Sequence, residues 1–158
     1  MRTQLIAASL AVAVALVLAG EASAGLGLTL GTAPSFTVTL DGTDQTPAFT
    51  LDMTATGTNG AFNVAASATV FTVGTQTLSG PTVTGVTTGT CTGGSCVNAV
   101  NTIASYPILL TGTAQKIYSS TTAKGAIPLT ANLTLSVPGN AFSGAYQSTL
   151  TVTVASGP

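Results

Sequence analysis

The feature that most constrains this chain is a strict two-residue alternation near its C-terminal end. Residues 129–154 read LTANLTLSVPGNAFSGAYQSTLTVTV. Leu129, Ala131, Leu133, Leu135 and Val137 fall on one face of the first run, and Thr130, Asn132, Thr134 and Ser136 on the other. After Pro138-Gly139-Asn140 the pattern restarts, with Tyr146, Leu150, Val152 and Val154 set against Gln147, Thr149, Thr151 and Thr153. Successive side chains leave a strand on opposite faces, so a period of two marks half-buried strands. The two runs read as a closing hairpin.

The same pattern recurs upstream. Leu26, Leu28 and Leu30 alternate with Gly27 and Thr29, and Phe36, Val38 and Leu40 alternate with Thr37 and Thr39. Asp41-Gly42 is a hairpin-type dipeptide inside the turn Asp41-Gly42-Thr43-Asp44. Phe49, Leu51 and Met53 point inward, and Gly57-Thr58-Asn59-Gly60 turns the chain. Phe62, Val64, Ala66, Ala68 and Val70 then share a face, while Phe71 and Val73 fall out of phase. A bulge or strand end near Val70 accounts for that shift. Short strands follow at residues 76–78 and 82–87, and residues 89–94 read as loop. Val97, Val100 and Ile103 have the spacing of one helical turn or of an irregular edge. Ile108-Leu109-Leu110 starts another strand, and residues 114–119 carry Ile117 or Tyr118 inward.

About eight to ten short strands, with turns between them and no helical periodicity, make an all-β chain. A sheet with one apolar face must bury it, and without helices its partner is another sheet. The expectation is a two-sheet antiparallel β-sandwich of the Ig-like, Greek-key kind. Phe36, Phe49, Phe62, Phe71 and Phe142 are the expected large core fillers.

The first residues have the form of an export signal. Arg2 supplies the positive end, residues 5–18 form an apolar run, and Ala22-Ser23-Ala24 gives the small-x-small pattern of a cleavage site before Gly25. The competing reading is a membrane anchor, but about fourteen residues fall short of the roughly twenty that a spanning helix needs. The expected organisation is a signal peptide over residues 1–24 and one sandwich domain over residues 25–158, secreted to the extracellular space or cell surface. A lipid-anchored form would need a cysteine where Glu21 stands.

After residue 24 the charged residues are Asp41, Asp44, Asp52, Lys116 and Lys124, and the whole chain has no His and no Trp. Such a chain lacks the basic footprint of a nucleic-acid binder. Low charge does not make it a linker, because its polar positions are mostly β-branched threonine, which suits a half-exposed pleated surface. Cys91 and Cys96 stand alone in Cys-Thr-Gly-Gly-Ser-Cys, and in an exported chain such a pair reads as a disulfide stapling a loop.

Without His no Ser-His-Asp triad exists, and a Ser-Lys dyad would have to recruit Lys116 or Lys124. Asp41 and Asp44 lie too close in sequence to flank a sugar from both sides. Two readings of that turn remain, a carboxylate closing its own turn and a partial calcium site. Asn132-Leu133-Thr134 is a formal glycosylation acceptor, and a Lys–Asn or Lys–Asp isopeptide link is conceivable at Lys116 or Lys124. No catalytic residue, cofactor or metal is assigned, and the chain reads as non-enzymatic.

Leu51-Asp52-Met53-Thr54, Gly60-Ala61-Phe62-Asn63-Val64, Phe71 and the closing residues 148–154 together resemble the pattern of WxL-type bacterial surface proteins. That family has an acidic strand, a Gly-Trp entry to a long strand and a closing Trp-x-Leu strand. Here both signature tryptophans are missing: the first would fall at Ala61 or Phe62, and the second, with its leucine, at Val152 and Val154. The resemblance implies a secreted sandwich whose partners are cell-wall polymer or other surface proteins. Gly144-Ala145-Tyr146 also resembles the entry to the last strand of spore-coat and pilus-type sandwiches, with Tyr146 as a strand corner held by its hydroxyl. Two functions follow as expectations. One is a cell-wall-associated or adhesive protein. The other is a fibre or coat subunit, self-associating by strand addition through the N-terminal arm, residues 25–31.

Overall fold

The computed structural model describes residues 8–18 and 25–158. Among them are thirteen strands and no helix. In chain order they are β1 (Ala8–Leu18), β2 (Gly27–Leu30), β3 (Ser35–Leu40), β4 (Ala48–Asn59), β5 (Phe62–Ala68), β6 (Phe71–Val73), β7 (Gln76–Leu78), β8 (Thr82–Thr88), β9 (Thr92–Val97), β10 (Ile108–Leu109), β11 (Gln115–Ser120), β12 (Lys124–Thr134) and β13 (Gly144–Ser156). They form two packed sheets. The first runs β11-β5-β13-β1-β3, with β6 added to β13 and β7 to β6. The second runs β10-β8-β12-β4-β2, with β9 added to β12. Every pairing is antiparallel except β1 with β13, which is parallel.

The all-β sandwich expected from alternation is the fold observed, more finely divided than eight to ten strands. The inward residues of the closing runs are buried as their phase requires: Leu129, Ala131, Leu133, Leu135, Val137, Tyr146, Leu150, Val152 and Val154 all belong to the core. The runs do not, however, form a hairpin. β12 is the spine of the second sheet and β13 of the first, so residues 135–143 carry the chain across the sandwich. Alternation fixes which face is apolar but says nothing about which sheet a strand joins.

The same correction applies to Asp41-Gly42, which links β3 in the first sheet to β4 in the second and closes no hairpin. This corner packs on the other crossing. Asp44 Oδ1 accepts the Gly139 amide at 2.7 Å, and a Cβ at Gly139 would lie 2.4 Å from the Gly42 carbonyl oxygen. Only glycine allows that approach.

Other departures are local. β5 ends at Ala68, which leaves Val70 exposed and lets Phe71 re-enter the core in β6. The loop expected over residues 89–94 gives way at Thr92 to a strand that runs to Val97, and Val97 and Val100 are exposed around a buried Ala99. Ile117 and Tyr118 are both buried, because the β11–β5 register shifts between Lys116 and Tyr118. Of the five phenylalanines, Phe62 and Phe71 are fully buried, Phe36 and Phe49 stack half-buried on each other at 5.1 Å, and Phe142 is 61 % exposed. The largest fully buried side chains are Tyr118 and Tyr146.

Candidate assembly site

The residues singled out from sequence fall into separate places. Cys91 and Cys96 are disulfide-bonded, with Cα atoms 6.0 Å apart. Cys91 immediately precedes β9 and Cys96 lies within it, so the bond braces the strand that pairs with the start of β12. Phe62, Tyr146, Val152 and Val154 lie in the core. Phe62 opens β5, and its ring meets that of Tyr118 at 5.5 Å. Tyr146 lies opposite Val12 of β1.

The polar side chains are largely engaged in holding the fold. Asp41 Oδ1 accepts the Thr43 amide (3.0 Å), the Thr43 hydroxyl (2.7 Å) and the Gln45 side-chain amide (3.1 Å). Those bonds favour the ionised carboxylate and hold Asp41 below its ordinary range, the Thr43 hydroxyl acting most strongly. With Asp44 turned toward Gly139, the two carboxylates serve different contacts. Asp52 accepts the Thr130 hydroxyl at 2.7 Å. Among the described residues no group of three His, Cys, Asp or Glu comes together as a metal site.

Tyrosine hydroxyls tie the irregular segment to the strands. Tyr106 donates to the Ile117 carbonyl and accepts from the Asn101 side-chain amide at 2.9 Å. Tyr118 pairs with Thr88 at 3.1 Å. Burial raises the pKa of both phenols. The Tyr106 bond, from a hydroxyl to a backbone carbonyl, is of the corner type expected at Tyr146.

The feature with consequences beyond the fold is β1. Its residues belong to the apolar run read as an export signal, yet they form an interior strand. Leu10–Leu18 pairs with residues 144–152 of β13, and Ala8–Ala13 with residues 35–40 of β3. Leu10, Val12 and Val14 face the core at 0, 2 and 6 % exposure, while Ser9, Ala11, Ala13, Ala15 and Val17 face outward. Because Ala11, Ala13 and Ala15 are small, two shallow depressions of about 430 and 330 Å³ flank β1 on the outer face. Alternation inside residues 5–18 could have signalled a strand, since Leu10, Val12, Val14 and Leu16 are spaced by two. A run of small apolar residues fits a signal segment equally well.

The Ala22-Ser23-Ala24 cleavage pattern lies outside the described residues. Cleavage there would take β1 away. β13 would then lose one neighbour, and β3 the strand that ties it into the first sheet. No helix among the described residues is long and apolar enough to cross a membrane. A scan against protein-family models and a search of curated proteins found no match to this chain.

Proposed function

We propose that the chain is a secreted, non-enzymatic β-sandwich of the cell surface, working as a subunit of an extracellular fibre or coat built by strand addition. The observation that carries this reading is β1. The segment with the form of an export signal supplies a strand between β13 and β3, so a chain that loses it needs a replacement strand from elsewhere. Exposed backbone edges are templates for another chain, and proteins usually guard them with charge. Neither β3 nor β13 contains a charged residue. The test is the assembly state of the exported protein, by size exclusion and negative-stain microscopy. Polymers support the reading, and monomers at all concentrations refute it.

A second reading, an adhesive protein held on cell-wall polymer, draws support from the outer face of the second sheet. Asp52, Thr54, Thr130 and Asn132 occupy outward positions of β4 and β12 there, and Thr84 and Thr87 bond across to the Asn132 and Thr130 carbonyls. Such a row of hydroxyl and amide groups suits a polysaccharide. Retention on cell-wall fragments above that of an unrelated sandwich supports this reading, and no excess retention removes it.

A further inference from the structure

We infer that the place β1 holds between β13 and β3 is an acceptor slot, and that its occupant in the exported protein is the arm of a second copy of this chain, residues 25–31. This deepens the strand-addition reading and rests on it.

The arm has the pattern the slot requires. In β1, Leu10, Val12 and Val14 point into the core and Ala11 and Ala13 point out. Laid over residues 10–14 in the same direction, Leu26, Leu28 and Leu30 take the three inward places, and Gly27 and Thr29 the two outward ones. Two inward positions grow by one methylene group. The Leu30 amide inherits the bond that Val14 N–H makes to the Pro34 carbonyl at 3.2 Å.

At home the same residues are weakly held. β2 is an edge strand that pairs only with β4, and Leu28 and Leu30 are half-buried. Between β13 and β3 the arm would have a ladder on each side and its leucines would leave water altogether. Removing more apolar surface from water drives the exchange.

A chain's own arm fits its own slot poorly, and Pro34 is the reason. The β1–β3 register sets Val12 opposite Phe36 and Leu10 opposite Val38. To put Leu28 opposite Phe36 and Leu26 opposite Val38, the chain's own arm must turn through the three residues Gly31-Thr32-Ala33, with Leu30 opposite Pro34. A three-residue hairpin loop calls for a left-handed third residue, here Ala33, which carries a Cβ and is held to extended backbone by the proline after it. A loop one residue longer or shorter turns the leucines onto the outward face of Thr37 and Thr39. A register two residues on sets Leu30 opposite Phe36 through Thr32-Ala33-Pro34, where proline, locked at negative φ, takes that third place. An arm arriving from another copy has no turn to make.

The test uses the full chain, exported by cells and recovered from outside them, carrying Thr29→Cys and Gln147→Cys. Ala13 lies opposite Gln147, so the donated Thr29 would too. In its home position Thr29 faces outward from the second sheet and Gln147 outward from the first, on opposite sides of the sandwich. The expected result is an intact mass beginning at Gly25 and a ladder of linked oligomers on a non-reducing gel. Reduction should collapse the ladder, and it should be absent from either single variant and from a triple variant adding Leu28→Asp. A product retaining residues 1–24 overturns the inference, because the slot never opens. Linkage confined to monomers assigns the slot to the chain's own arm and also overturns it. Fibres without a linked ladder reject this slot but leave strand addition standing, whereas monomers without linkage reject both.

Discussion

Replacing Phe62 by alanine separates buried from merely apolar aromatics. Phe62 is 1 % exposed, opens β5, and stands opposite Ser120 of β11 and Ser156 of β13. Truncation of a buried phenylalanine costs about 3–5 kcal/mol in transfer free energy and residual cavity. The lost ring contact with Tyr118 is worth about 0.5–1.5 kcal/mol within such a total. Phe142 is 61 % exposed, and its replacement by alanine should stay within about 0.5 kcal/mol of zero. Urea unfolding of the exported protein, followed by far-ultraviolet circular dichroism, measures both. With a urea dependence of about 2 kcal/mol per molar, Phe62→Ala should lower the midpoint by roughly 2 M and Phe142→Ala should leave it nearly unmoved. Equal shifts in the two variants, or a Phe62→Ala cost below about 1 kcal/mol, would refute the packing account.

Three further outcomes follow from the polar contacts. Asp41 has a folded pKa below its unfolded one, so its contribution is complete above the ordinary carboxylate pKa and is lost as pH falls through the lower, folded value. The Thr43 amide resonance should titrate there in the wild type and not in Asp41→Asn. For Tyr106 and Tyr118 the folded pKa is raised, so their stabilisation is complete below about pH 10 and is lost as pH climbs through the higher folded values. Absorbance at tyrosinate wavelengths should show two late-titrating phenols, and Tyr106→Phe, which takes the hydroxyl donor from the Ile117 carbonyl, should cost about 1 kcal/mol. Replacing both Cys91 and Cys96 by alanine should cost about 2 kcal/mol, with faster amide exchange concentrated in β9 and the start of β12. Faster exchange spread evenly over both sheets would contradict a local brace.

The buried faces of β3, β4, β5, β12 and β13 were legible because a strand's period of two is set by the backbone itself. Leu133 and Val152 had to point inward whatever the topology. The disulfide was legible from cysteine count and spacing. What remained hidden depended on long-range pairing. The Ile117–Tyr118 ambiguity resolved into burial of both, because a register shift against β5 turns two successive side chains inward. Phe142 is as apolar as Phe62, yet it sits on the crossing between the sheets, where no second layer covers it.

By itself the sequence determined an all-β chain, its inward residues, its cysteine pair and its shortage of charge, each a consequence of local geometry or composition. Only the tertiary structure decided that the two closing runs lie in different sheets. It alone also decided that residues 8–18 occupy a place between β13 and β3. Both are choices of strand neighbour. Alternation tells a strand which side to bury, and the same side can be buried in either sheet and beside any partner whose apolar phase agrees.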